Sequence, residues 1–272
     1  MKVAHREVPS FTTIRFIDKG SLMRLSRYLS SGLALVLAIS ATAFGDDADS
    51  RELINTVIEK NGGEKLLAKV PARSSKIKGT MSLFGSPIPI TGELASQGGD
   101  QHRMSISLSV DGQSITFTSV LNRDHGWQRL YDQTNEMSDE QMTEAKAAAY
   151  AGWLATLLPL KDKAFQLASA GETEIDKRAA VGVNVTREGR RPFKMFFDKE
   201  TFRLVRTETT VRDESTSKDM NQETTYSDFN MVEGIPHAKK ISIKRDGQPH
   251  VDVEVVSFKP SEKLEDSVFA KP

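Results

Sequence analysis

The sequence predicts a mainly β protein of the α+β kind, with one large antiparallel sheet interrupted by two helical insertions. Three observations predict it. Between Ser75 and Tyr131 apolar residues recur with a period of two, the mark of strands with one covered face. Seven more strand-like segments follow between Phe165 and Phe258. Helical spacing is confined to two stretches, around Leu53–Ile58 and across Ser138–Leu158.

The 272-residue chain opens on a leader-like pattern. Arg24 and Arg27 precede the apolar run Leu33–Ile39, and Ala41-Thr42-Ala43 then gives the small-residue spacing that leader peptidases cut. That run is too short to span a bilayer, which takes about 20 residues. Residues 1–45 are therefore read as a signal peptide, with Met23 as an alternative start, and residues 46–272 as a single exported domain. The expected location is the periplasm, in soluble form, with no integral membrane span in the mature chain.

The whole chain carries 37 basic and 37 acidic residues, but residues 1–45 hold six of the former and two of the latter, which leaves the body at a net charge of −4. A mildly acidic body argues against a nucleic-acid partner, which calls for a basic face. Cysteine is absent. This removes disulfide scaffolds, thiol nucleophiles, cysteine-ligated metals and lipid modification of an N-terminal cysteine.

Asp49 and Glu52 have the spacing of a capping box and set the expected start of the first helix. Leu53, Ile54, Val57 and Ile58 continue it, Asn61-Gly62-Gly63 stops it, and Glu64–Ala68 adds a short second turn. The strands then follow: Ile77, Gly79, Met81 and Leu83 share one face, as do Ile88, Ile90, Gly92 and Leu94, and then Met104, Ile106, Leu108 and Val110. Asp111-Gly112 fits a two-residue type I′ turn, which sets Leu108 opposite Ile115 and Ile106 opposite Phe117. At Asp246-Gly247 the same turn would set Ile241 against Asp252. A three-residue loop with a bulge at Gly247, pairing Ile241 with Val251, is expected instead.

Ser138 and Gln141 form a second capping box, followed at steps of three and four by Met142, Ala145, Ala149, Trp153 and Leu157. This helix is expected to run to Leu158, where Pro159 ends it. The later strands are Phe165–Ala168, Val181–Val185, Lys194–Phe197, Leu204–Thr210, Glu223–Phe229, Lys240–Lys244 and His250–Phe258, separated by polar loops such as Asp213–Asp219.

Several segments in this order resemble the LolA-like family of exported proteins (LolA, LolB and RseB and their relatives). They are NGGEKLL at 61–67, KIKGTMSLFG at 76–85, NRDHGW at 122–127, FDKETFRLVR at 197–206, YSDFNMVEGIP at 226–236 and DSVFAKP at 266–272. The resemblance implies an unclosed antiparallel β half-barrel of about eleven strands, with helices covering the concave face over a hydrophobic cavity. It implies a lipid or an acylated protein as ligand. Phe202 departs from the pattern, since relatives often have Gly there, and no position is assigned to the gating arginine of the carriers.

On that reading the Ala147–Leu158 helix is a lid, with Tyr150, Trp153, Leu154 and Leu157 touching an apolar ligand. Met81, Met104, Ile106, Phe117, Met195 and Phe197 would line the sheet side, where flexible methionines suit varied chains. The alternative is that the helix is ordinary core. Arg187, Arg190 and Arg191 cluster around Gly189 and would meet lipid head groups or an acidic envelope partner; a solvated hairpin turn is the simpler account. No G-x-S-x-G, H-E-x-x-H, phosphate loop or zinc-like spacing is present, and the histidines His102, His125, His237 and His250 are scattered. No catalysis, metal or cofactor is expected. The leading expectation is a carrier of an apolar ligand; the alternative is an RseB-like sensory or protein-interaction module.

Overall fold

Thirteen antiparallel strands form one sheet among the described residues, which in the computed structural model are 43–83, 85–110, 112–213 and 216–272. The signal-peptide expectation falls outside these residues, except for its last three. The strands are β1 (Ala72–Leu83), β2 (Ser86–Gln97), β3 (Gln101–Val110), β4 (Gln113–Asn122), β5 (His125–Leu130), β6 (Gln133–Glu136), β7 (Gln166–Ile175), β8 (Arg178–Thr186), β9 (Phe193–Asp198), β10 (Leu204–Arg212), β11 (Asp219–Val232), β12 (Ile235–Arg245) and β13 (Gln248–Ser261). Their order across the sheet is β6-β5-β4-β3-β2-β1-β13-β12-β11-β10-β9-β8-β7. The first and last strands pair in the middle, and the two free edges, β6 and β7, are consecutive in the chain. The link between them runs through the helix α3 (Asp139–Leu154) and a 3₁₀ turn at Leu158–Lys161. The sheet is thus an unclosed half-barrel. It has two strands more than the eleven expected, in part because β6 is four polar residues without alternation.

Strand register decides which face is covered. Ile77, Gly92, Ile106 and Phe117 stand in one row across β1–β4. Met81, Val251, Ile243, Thr224, Thr207, Met195 and Val183 form another row from β1 through β13 to β8. Two apolar clusters lie on this face. One packs the helix α1 (Ala43–Lys60), α3 and the 3₁₀ turn against β7–β9, with Ile54, Val57, Leu154, Phe165, Met195 and Phe197 fully buried. The other joins Ile77, Ile90, Ile106, Val251, Val253 and Val255 and includes no helical residue. Half-buried Met81, Leu94, Met104 and Leu108 border it.

Three local expectations need correction. The first helix begins at Ala43, so Asp49 lies inside it and does not cap it. Asp47 extends this helix by pairing with Arg51 at 2.8 Å, one turn on, and it also accepts the Leu167 N–H at 3.1 Å, which ties α1 to edge strand β7. The end is as read. Asn61 Nδ2 donates to Val57 O at 2.7 Å and to Phe202 O at 2.9 Å, Gly62 and Gly63 take positive φ, and the short helix α2 (Gly63–Lys69) follows.

The Ser138–Gln141 capping box forms, but α3 stops at Leu154, one turn before the expected end. Pro159 has no N–H to bond back to Ala155, and the chain passes into the 3₁₀ turn at Leu158–Lys161 instead of continuing the α-helix. The chain turns at Leu157 (φ 73), and the Thr156 hydroxyl takes the Trp153 carbonyl at 2.6 Å. The hairpin at 111–112 pairs Leu108 with Ile115 and Ile106 with Phe117, as read. The hairpin at 246–247 is different. Arg245 pairs with Gln248, so the loop has two residues, both at positive φ. The extra residue falls within β13 beside His250, and Ile241 pairs with Val253. The hydrophobic phase is restored by a bulge in the strand rather than in the loop.

Candidate functional site

Between α2, the C-terminal end of α3 and the covered face of β1, β2, β12 and β13 lies a cavity of about 530 Å³. That is within the range of small-molecule sites, roughly 300–1,000 Å³. Ile77, Leu94, Trp153, Leu157, Val255 and Phe258 are among its walls. Several wall residues also belong to the helix-free cluster, so the cavity opens onto that apolar strip.

Arg73 is the sole formally charged side chain among the residues lining the cavity. Register explains its position. On β1 it lies two steps in phase from Ile77, and Arg73, Ser96 and His102 stand in one row across β1–β3. Its Nε donates to Ser96 Oγ at 3.1 Å, and its Nη2 donates to the Gly152 carbonyl of α3. No carboxylate among the described residues pairs with it. Burial lowers its pKa, partly offset by Tyr226, yet a guanidinium keeps its proton at any ordinary pH.

Two histidines share this environment. Burial first, and then the Arg73 charge, pull His102 down to about 4. The same causes lower His237, whose ring stacks on Phe258 at 4.1 Å and 6° and whose Nε2 is buried without a hydrogen-bond partner. Both are neutral at pH 7. Tyr226 completes this wall, its hydroxyl 3.4 Å from Thr207 Oγ1; burial raises its pKa, while Thr207 and Arg73 pull the other way.

Of the residues expected to touch a ligand, Trp153 and Leu157 line the cavity. Tyr150, Leu154, Met195 and Phe197 lie in the sealed cluster under the helices. Met81, Met104 and Ile106 lie in the helix-free cluster, and half-buried Phe117 pairs with Ile106 beside it. All six sheet residues share the covered face, but the cavity joins none of them directly.

The three arginines face their own chain. Arg187 lies 3.7 Å from Asp162 and 5.1 Å over the Phe165 ring, and Arg190 lies 5.0 Å over the Tyr150 ring. Arg191 holds Glu144 of α3 through two bonds. They fasten the helical cover to the β8–β9 loop. Arg73, His102, His237 and Tyr226 were not singled out from sequence. The available signal was the strand period itself, since Arg73 and His102 continue the faces of Ile77 and Ile106.

Among the described residues no group of histidines and carboxylates is placed to hold a metal, and no helix is long and apolar enough to cross a membrane. No sequence-family profile and no curated protein matches the chain. The sheet is an open half-barrel, and solved structures share that fold. An outer membrane lipoprotein-sorting protein domain from Vibrio parahaemolyticus aligns with TM-score 0.54 and 11% identity, covering 83% of this chain and 98% of that one. A DUF1329 family protein from Desulfovibrio piger gives 0.54 and 10%, covering 81% and 97%. A LolA superfamily protein from Nitrosomonas europaea gives 0.51 and 12%, covering 79% and 96%. The chain therefore has the LolA-like fold.

Proposed function

We propose that this protein is an exported, non-catalytic carrier that shields an apolar chain of a lipid or acylated protein from water. The observation that carries the reading is the 530 Å³ cavity, walled mainly by apolar groups and continuous with a half-covered apolar strip. Each methylene removed from water contributes about 0.8 kcal/mol, so about ten offer roughly 8 kcal/mol before ordering costs. Micromolar binding takes about 8 kcal/mol net, so a chain burying more than ten methylenes is needed to meet the ordering costs as well.

The roof is α3, which buries Tyr150 and Leu154 in the cluster on β7–β9. Arg73 latches it at Gly152, and Arg191 holds it at Glu144. Release of these ties would let the helix swing from the half-barrel while β1–β13 stay paired. The cover and the sheet thus act as lid and vessel.

The test is native mass spectrometry of the protein purified from its own envelope without detergent, as wild type and as Trp153→Asp. Lipid retained by the wild type and lost from the variant is the expected result. Wild type free of lipid, or equal retention by both, ends the carrier reading; a stoichiometric protein partner in place of lipid would turn it toward a sensory module.

A further inference from the structure

We propose that the cavity takes an amphiphile with an anionic head, a carboxylate or a phosphate, seated on Arg73 with its alkyl chain along the apolar strip. This rests on the carrier reading above and adds the chemistry of the head group. Arg73 is a permanent cation, half-buried in the cavity wall, and no Asp or Glu lines the cavity to neutralise it. Its two hydrogen bonds go to neutral acceptors, Ser96 Oγ and Gly152 O, and its Nη1 bonds to no described residue. A cation left without a counter-charge in an apolar cavity is costly, and a bound anion removes that cost through charge-assisted bonds.

The neighbours fit the same occupant. His237 carries a buried, unpartnered Nε2 on this wall, and His102 stands in the Arg73 row. Both imidazoles are neutral near pH 7, so they add donors without adding charge. A zwitterionic head would bring its cationic end to walls holding no acid. From Arg73 the covered face of β1 runs through Ser75, Ile77 and Gly79 to Met81. Eight residues at about 3.3 Å each give roughly 26 Å of path for a chain.

The experiment titrates delipidated full chain, below micelle-forming concentrations, with four sixteen-carbon probes: palmitate, hexadecyl phosphate, hexadecanol and hexadecyltrimethylammonium. At least one anion is expected to bind about tenfold or more tighter than the alcohol, with the cation weakest. Whichever anion is tighter separates a free fatty acid from a phosphate-headed lipid. In Arg73→Gln the anion-to-alcohol ratio should fall to about one, whatever the absolute affinities, and Arg73→Lys should restore part of it. If the alcohol binds wild type as well as both anions do, the head-group assignment is overturned and the carrier reading stands. If none of the four binds, both go.

Discussion

At the level of single residues, His102 gives the clearest pH signature. Burial and the Arg73 charge favour its neutral form, so the folded pKa of about 4 lies below the ordinary histidine value of 6.5. Above that upper value neither state is protonated and the residue is silent. As pH falls from 6.5 toward 4 the unfolded chain takes up a proton that the fold refuses, and stability drops by up to about 1.4 kcal/mol per pH unit. Below about 4 both states carry the proton and this contribution levels off. Urea melts at pH 7, 6 and 5 should show that slope, and His102→Gln should reduce it, leaving the part that His237 and His250 contribute. Equal slopes in both proteins would count against the assignment. Losses below pH 4 belong instead to carboxylates such as Asp198, held well below its usual range by Arg178 and the turn at Thr201. His102 and Arg73 escaped the sequence reading because strand phase was followed only through apolar side chains. The same phase carried one step past Met104, and two past Ile77 through Ser75, would have put both on the covered face.

At the level of elements, α3 is held by charge near its start, at Glu140 and Glu144, and by packing at its end, where Tyr150 and Leu154 are buried. Burial opposes ionisation of Glu144, but bonds from Arg191 and from the Arg212 backbone hold its carboxyl below the usual range. Glu144→Gln removes the charge-assisted part of this clamp, worth about 1.5–3 kcal/mol. Local opening of α3 should then become tenfold or more frequent by hydrogen exchange, with protection of β1 and β13 unchanged. Exchange accelerating equally in α3 and the sheet would mean that the helix is core and not a lid. The Gly99 turn is the opposite contact: a Cβ there would lie 3.1 Å from the Trp153 indole, so the ring is seated on bare backbone. Hairpins show what was legible at this scale. At 111–112 turn chemistry and hydrophobic phase agree, and the register follows from sequence. At 246–247 they disagree by one residue, and sequence shows that a bulge is needed without showing where. The bulge falls at His250, within a strand that also pairs with β1, and so depends on two neighbours rather than on the loop. The early end of α3 was signalled by Pro159, whose influence reaches back past the residue before it.

At the level of the whole molecule, the alternation of single strands reveals a sheet but not its order. That the first and last strands meet at its centre, and that the free edges are joined through α3, depends on contacts between residues far apart in sequence. The β1–β13 pairing brings Ala72 against Ser261 and Met81 against Val251. It joins one half of the sheet, β2–β6, to the other, β7–β12, and the helix-free cluster straddles it. Loss of β13 should therefore divide the molecule, whereas loss of the tail beyond it should not. The tail contributes one fully buried side chain, Phe269, packed with Val120 and Ala95, and Phe deletions of this kind cost about 3–5 kcal/mol. A chain ending at residue 261 is expected to keep a cooperative urea transition at a lower midpoint. A chain ending at residue 247 leaves Ile77 and Ile241 without Val255 and Val253 and exposes two new strand edges. It should show no cooperative transition, with aggregation in its place. If it unfolds cooperatively with near wild-type slope, the two halves are independently stable and the central seam does not organise the fold.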